Sequence, residues 1–324
     1  MSKLIDRFSV VLVAVAAMLW GSDTLFRIPL LGHLSHNSLI ASTQLVFAET
    51  AILTVVVLPL LWRGRDELRQ LSVRQWVAIA CIGAGAQALA TVLFTLSFSY
   101  FHFIETLLLQ KTQPLIAILL ASFWLKERLS PQAWIWVPVA IAGAYLIVIP
   151  DPLNPQAAWI DFHIQAGLLA LGASAIWGSA TVLGRYALKG LSFPTMTSLR
   201  FALGMPVLGI VLLTIGGGGA FGEYHLRDAW YYLGLAFLPG LIAMLLYYRG
   251  LASTPASIAT LAELAFPITG LLVNMFIISP RQSITGMQLA GIGIMWLALA
   301  ALDWANTRYP QRVGGALIPE PAPA

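Results

Sequence analysis

The sequence predicts an all-α integral membrane protein of ten transmembrane helices, arranged as two inverted five-helix repeats. Three observations predict it: charge is scarce, apolar runs of membrane-spanning length recur, and the second half of the chain echoes the first. Charged residues make up 10% of the 324 and hydrophobic residues 59%, whereas a soluble domain carries about 25% charged residues. Too little charge remains to cover a water-facing surface. Lipid is the expected solvent.

A bilayer's hydrocarbon core needs about 20 apolar residues per helix. In chain order the runs fall at 9–31, 38–61, 75–97, 103–124, 133–149, 165–187, 195–215, 229–250, 255–277 and 286–304. The first follows Lys3 and Arg7 and imitates a secretory signal. The same segment recurs in mid-chain, where no cleavage signal is needed, so it reads as a span. The fifth is short and contains Pro138; the longest connections are 62–74, 150–164 and 216–228. From Gly314 to Ala324 the chain is rich in Pro, Ala and Gly, a composition that favours disorder. The organisation expected is a first repeat at 1–150, a second at 151–306, and a cytoplasmic tail at 307–324.

The basic residues set the orientation. With the N-terminus inside, inner segments hold Lys3, Arg7, Arg63, Arg65, Arg69, Arg74, Lys126, Arg128, Lys189, Arg308 and Arg312, and outer loops only Arg227 and Arg281. Cytoplasmic loops carry an excess of Lys and Arg, so both termini are expected in the cytoplasm, with the protein in an inner membrane. Dispersed in this way, the positive charges form no stripe for nucleic acid. The single cysteine, Cys81, excludes a disulfide framework within one chain.

The repeat is visible residue by residue. Ala17-Met-Leu-Trp20-Gly21-Ser22-Asp23-Thr24 aligns with Ser174-Ala-Ile-Trp177-Gly178-Ser179-Ala180-Thr181. Thr43 to Ala48 aligns with Thr197 to Ala202, and Leu109 to Pro114 with Ala262 to Pro267. Each half holds five predicted spans, an odd number, so the second half must be inverted relative to the first. Inverted repeats of this kind place a binding site at the bilayer midplane in many secondary transporters.

With these marks the sequence resembles the drug/metabolite transporter superfamily, specifically its EamA type. The residues that carry the resemblance are the Trp-Gly pair in the first span of each half and a proline in the fourth. To them are added Arg200-Phe201 in the seventh span and Lys126-Glu127-Arg128-Leu129 at the inner end of the fourth. Two places depart from the pattern: Gln44-Leu-Val46 stands where an arginine is common, and Ser279-Pro280-Arg281-Gln282 replaces a Gly-Glu-Arg type loop. The resemblance implies a ten-helix solute carrier, often an exporter, with a cavity between the halves.

Charge inside a span marks candidate function, because Asp, Lys or Arg at a helix centre costs about 2.5–3.5 kcal/mol on insertion scales. The predicted spans hold Asp23, Arg27, Glu49, Glu105, Lys111, Arg185, Arg200, Arg249 and Glu263. Of these, Arg185, Arg200 and Arg249 lie near span ends, where snorkelling toward the headgroups competes with function. Nearest the midplane are Glu49, Lys111, Glu263, Gln87, Gln110 and Gln113. Thr106, Gln110 and Gln113 share one helix face by their spacing, and Glu263 occupies the repeat position of Gln110. The fourth and ninth spans are therefore expected to face each other across the cavity. A structural Lys111–Glu49 or Lys111–Glu263 pair without substrate contact is the competing arrangement. Trp20 and Trp177, too deep for the interfacial belt, are further candidates for lining. Pro114 and Pro267 are expected to kink their helices. Tyr100, Phe101 and Phe103 are candidate outer gates, and Tyr247 and Tyr248 inner ones.

A site with both signs of charge suits a zwitterion, so the expectation is a secondary transporter that exports amino acids or related metabolites by alternating access. Glu49 or Glu263 is the candidate carrier of a coupling proton. The alternative is an organic-anion antiporter for nucleotide sugars or sugar phosphates, favoured if Arg27 and Arg200 face the cavity. An enzyme is not expected, since no span pairs a carboxylate with a histidine. His33, His36, His102, His163 and His225 all fall in or beside outer loops. No cofactor or metal is expected, and the oligomeric state is not encoded in any motif.

Overall fold

The computed structural model describes residues 9–34, 36–100, 103–113, 115–116, 120, 133–149, 151, 153–156, 163–188, 190–222, 224–253, 262–263, 265–278, 284–308, 312–313 and 316–317. Apart from a two-residue antiparallel pair between Arg312–Val313 and Ala316–Leu317, its regular structure is helical. The helices are α1 (Ser9–Gly21), α2 (Thr24–Leu31), α3 (Ser38–Arg63), α4 (Arg65–Leu68), α5 (Val73–Cys81), α6 (Ala90–Phe98) and α7 (Phe103–Leu109). They continue with α8 (Ala133–Val148), α9 (His163–Ala187), α10 (Phe193–Gly216), α11 (Ala229–Leu235), α12 (Ala243–Ser253), α13 (Ala265–Val273) and α14 (Gly286–Arg308).

Among the described residues, six helical stretches are long and apolar enough to cross a membrane: Ser9–Leu31, Ser38–Arg63, Val73–Phe98, Ile164–Gly184, Phe193–Gly216 and Leu226–Ala252. They coincide with the first, second, third, sixth, seventh and eighth predicted runs. Shorter apolar helices at Ile135–Ile147 and Gly286–Ala298 fall in the fifth and tenth. The fourth and ninth runs are described only around α7 and α13. Pro114 and the Lys126–Leu129 motif lie outside the described residues, as does Ser279–Gln282. The tail read as starting at 307 still belongs to α14 through Arg308.

Solvent preference is inverted relative to a soluble protein. Phe276, Leu297 and Val55 stand exposed at 73%, 72% and 65%, while Arg27, Glu49, Lys111 and Glu263 are buried. An apolar exterior around a charged interior is what lipid selects. Buried charge must then be paired or wetted from within.

Several stretches that sequence periodicity reads as continuous helix are irregular. The first span breaks at Ser22–Asp23, where Asp23 N–H donates to the Trp20 carbonyl at 3.0 Å and Leu25 N–H to Ser22 at 3.1 Å. Ser22 Oγ also donates back to the Leu19 carbonyl at 2.7 Å. Wide π turns occupy Ile82–Leu89 between α5 and α6, Ala236–Ile242 between α11 and α12, and Asn274–Ile278 after α13. Local inserts of this kind are frequent at functional sites.

The most extensive packing joins α8 to α14 and α3 to α10. Helix α1 packs on α12 and α13, and α9 on α6 and α7. Some approaches are close enough to require glycine, Gly21 and Gly143 among them. A Cβ at Gly21 would lie 2.7 Å from the Phe266 carbonyl oxygen, and one at Gly143 would lie 2.7 Å from Met295 N and 2.8 Å from the Gly291 carbonyl. Backbone on the facing helix cannot turn aside as a side chain can. Small residues serve this close approach where helices meet in membranes. Gly143→Ala is therefore expected to overpack the α8–α14 contact by about 1–3 kcal/mol and lower the unfolding midpoint in detergent. Gly293→Ala on α14, where a Cβ meets nothing within 4 Å, should leave the midpoint unchanged.

Candidate functional site

The break in the first span and the π turns at Ile82–Leu89 and Ala236–Ile242 converge on one chamber with a cavity volume of about 110 Å3. Both halves of the chain line it. The break in the first span supplies Trp20, Asp23 and Arg27; α3 supplies Glu49; the first π turn supplies Gln87. Gln110 and Gln113 follow α7, and Thr91 and Phe94 come from α6. From the second half come Trp177 and Thr181 on α9, Arg200 and Phe201 on α10, and Pro239 and Gly240 on the second π turn. Met244, Tyr247, Tyr248 and Phe266 complete the wall.

Arg27 is held on every side. Its Nε and Nη2 donate to the two carboxylate oxygens of Asp23 at 2.5 and 2.7 Å, Nη2 also to Glu49 Oε2 at 3.0 Å, and Nη1 to Thr95 Oγ1 at 2.9 Å. The planar guanidinium fork matches a carboxylate in this bidentate way. Asp23 sits in the helix break and Arg27 one turn later, so the interruption itself aims the acid back at the base.

Arg200 does not snorkel. It is buried on α10 and turns inward, donating from Nε to Gln87 Oε1 at 2.9 Å and from Nη2 to the Ala86 carbonyl at 3.5 Å. Gln87 in turn donates from Nε2 to Thr50 Oγ1 at 3.0 Å, which fixes the amide's orientation. Trp177 Nε1 donates to the same Ala86 carbonyl at 2.9 Å. The π turn frees that carbonyl from the ordinary helical ladder and offers it to the neighbouring helices.

Lys111 and Glu263 do not line the chamber. Each is 1% exposed, and Lys111 Nζ lies 3.7 Å from Glu263 Oε2 and 4.3 Å from the centre of the Phe266 ring. Both are lining candidates by their charge near the midplane, although Lys111 lies about 100° round the helix from Gln110 and so is free to address a neighbouring helix. That rotation turns Lys111 away from the chamber. The competing arrangement, a Lys111–Glu263 pair, is the one the structure contains. Tyr247 stands between this pair and the chamber: it lines the wall, its hydroxyl neighbours the Glu263 carboxylate, and it lies 3.5 Å from Thr181 Oγ1.

Of the remaining expectations, Trp20, Glu49, Gln87, Gln110, Gln113 and Trp177 all reach the chamber. Pro267 falls inside α13, whose backbone stays helical through it. Tyr247 and Tyr248, read as inner gates, are chamber wall instead, with Trp20 packed on Tyr247 at 5.0 Å between ring centres. Phe103 packs on Phe98 at 5.9 Å, and Phe101 lies outside the described residues. The sequence reading did not single out Thr91, Phe94, Thr181, Met244 or Phe266 as lining. None carries a charge; Thr181 and Phe266 fall within the repeated segments, but nothing in those segments marks them as lining.

Further contacts join the halves near both ends of the long helices. At one end His33 Nδ1 lies 3.0 Å from Asp228 Oδ1, and Gln44 Nε2 donates to the Ala220 carbonyl at 2.9 Å. At the other, Ser192 donates from N and Oγ to the Glu67 carboxylate, both at 2.8 Å.

A multi-pass helical membrane protein with a polar, charge-lined internal chamber belongs structurally with the solute carriers. The comparison with known proteins is specific: the EamA-like transporter family matches residues 7–149 and again residues 165–302, and the chain belongs to that family. The Riboflavin transporter ImpX of Fusobacterium nucleatum subsp. nucleatum is 31% identical over 286 residues, covering 84% of this chain and 91% of its own. A Riboflavin transporter of Brucella anthropi is 24% identical over 181 residues, 55% of this chain and 58% of its own. One solved crystal structure superposes with a TM-score of 0.58 at 16% identity, covering 93% of this chain and 97% of that one. It shows the shared fold.

If Lys111 and Glu263 form a self-contained pair, losing one member should hurt more than losing both. Lys111→Met leaves a buried carboxylate without its partner and is expected to cost about 3–5 kcal/mol, whereas Lys111→Met with Glu263→Leu should recover most of it. A double-mutant cycle on unfolding in detergent measures the coupling.

Proposed function

We propose that the chain is a secondary carrier that moves riboflavin, or a neutral flavin of similar size, across the membrane by alternating access. The observation that carries this reading is the make-up of the chamber. Trp20, Phe94, Trp177, Tyr247 and Phe266 supply aromatic wall for a planar ring, and three glutamines with Thr91 and Thr181 supply polar groups for hydroxyls and ring heteroatoms. The four formal charges that line it, Asp23, Arg27, Glu49 and Arg200, sum to zero. Such a chamber favours a neutral polar solute over a phosphate dianion. The two relatives, both named as riboflavin transporters, support that reading.

The expected amino-acid substrate rests on Glu49, Lys111 and Glu263 showing both signs of charge to the solute; Glu49 does line the chamber, bonded to Arg27, but Lys111 and Glu263 do not. Those two charges face each other outside the chamber. The organic-anion alternative required Arg27 and Arg200 to face the cavity, which they do, but Asp23 and Glu49 already neutralise Arg27.

Alternating access rests on the ten-span inverted repeat. Exchanging the halves maps α1 against α12 and α13 onto α9 against α6 and α7, and it maps the α3–α10 and α8–α14 contacts onto themselves. The π turns beginning at Ile82 and Ala236 fall in register with the sequence repeat. The family match on both halves supports the same duplication. Both termini are placed in the cytoplasm by the basic loops.

Reconstituted in liposomes, the protein should show saturable uptake of labelled riboflavin, competed by unlabelled riboflavin and not by flavin mononucleotide or a mixture of amino acids. Trp20→Ala and Trp177→Ala should each weaken transport affinity by the loss of ring stacking, about 1–3 kcal/mol by analogy with base stacking on aromatic residues. Amino-acid uptake without riboflavin uptake would overturn the assignment, and a protonophore separates coupled from facilitated movement.

A further inference from the structure

Three glutamines line the chamber, and among the described residues one of them makes no side-chain hydrogen bond. Gln87 has both ends of its amide engaged, its oxygen by Arg200 and its nitrogen by Thr50. Gln113 donates from Nε2 to Thr181 Oγ1 at 3.3 Å. Gln110 is 7% exposed and lies on the chamber wall; its Oε1, buried in that wall, has no hydrogen-bond partner, so the amide gains a bond only by turning to meet a solute. Among the described residues its nitrogen donates to no protein acceptor either. Buried polar groups in native proteins are nearly always paired, and each exception calls for an explanation. Arg27 and Arg200, with their fixed partners, supply none.

The backbone explains why this amide is held free. Gln110 opens the tight 3-10 turn Gln110–Thr112 that follows α7. In that turn Thr112 is anchored twice, donating to the Leu109 carbonyl at 2.8 Å and meeting Ser174 Oγ at 2.9 Å. Lys111 is pinned by Glu263. The two residues that follow Gln110 thus hold the turn against α9 and Glu263, and the Gln110 amide itself is left unbound at the chamber wall. Water would satisfy an amide anywhere. A preorganised one beside aromatic walls offers a substrate something more selective.

A primary carboxamide presents one acceptor beside one donor. Its complement is a ring edge with an N–H beside a carbonyl, as in a cyclic imide or lactam. We infer that Gln110 reads the imide edge of the substrate's heteroaromatic ring, its Oε1 accepting from the ring N–H and its Nε2 donating to an adjacent ring carbonyl. In a flavin that edge is N3–H, flanked by the carbonyls at C2 and C4. This inference rests on the flavin reading of the chamber and assigns its ring-edge specificity to one side chain. A site built to hydrogen-bond a ring N–H rejects the analogue that lacks it far more strongly than an apolar wall rejects an extra methyl.

The test compares riboflavin with N3-methylriboflavin, binding to purified full-length protein being followed by flavin fluorescence. Wild type is expected to bind the N3-methyl compound at least about tenfold more weakly. Gln110→Leu should bind the two within about twofold of each other, chiefly through weaker riboflavin binding, and its unfolding midpoint should not fall, since no protein partner is lost. Gln110→Met provides a second apolar variant should the first fail to fold, and the wild-type ratio alone is already decisive. Equal binding of both compounds by wild type, or undiminished discrimination in a folded Gln110 variant, overturns the assignment of Gln110 while leaving the flavin carrier standing. No binding of riboflavin by wild type overturns both.

Discussion

Arg27 is buried within a span, and everything around it answers to that fact. An isolated guanidinium in lipid is too costly to keep, and removing one member of a buried charge set is more damaging than never having built it. Two carboxylates and a hydroxyl meet it: Asp23 from the helix break, Glu49 from α3 and Thr95 from α6. The cluster therefore ties three consecutive spans of the first half into one wall. It also fixes the chamber's electrostatics, because the excess acid in the cluster balances Arg200 across the cavity. A neutral interior follows from the way one arginine is accommodated.

The chamber exists because the helices around it are imperfect. A regular helix keeps its carbonyls to itself; one with a π turn or a broken turn releases them, which is tolerated at membrane depth only where protein or cavity water satisfies the freed groups. The Ala86 carbonyl is the case in point. It receives Trp177 and Arg200 from two different helices and so joins α9 and α10 of the second half to the first π turn. The same irregularity that opens room for a solute also supplies the bonds that hold the halves around it.

Much of this was legible in the sequence and some was not, for physical reasons. The apolar runs mark the long helices to within a few residues, since hydropathy over 20 residues tolerates local irregularity. Trp20 and Trp177 were identifiable because tryptophan so far from the interface needs a reason, and Glu49 because charge does. Rotation about the helix axis was harder. Lys111 and Gln110 are neighbours in sequence and face different partners, and the 3-10 turn between α7 and Pro114 shifts the phase on which such arguments depend. Arg200 lay close enough to a span end for snorkelling to compete, and only the packing of α10 against the first π turn resolves its direction. The π turns left no mark in composition, because one extra residue per turn alters direction without altering hydropathy.

The repeat and the asymmetry of the site belong to one account. Gln110 and Glu263 hold equivalent positions in the two halves, yet the amide faces the chamber and the acid turns away to Lys111. A strictly symmetric pair would present the same group twice to a solute that has no such symmetry. Had the second half kept an amide facing inward, Lys111 would have lacked its counter-charge; had the first half carried an acid, the chamber would have gained a net negative charge. In the proposed carrier, divergence at this one position lets the two halves enclose a neutral, unsymmetrical molecule and read one of its edges. On that proposal the halves supply the two walls, and the difference between them supplies the selectivity.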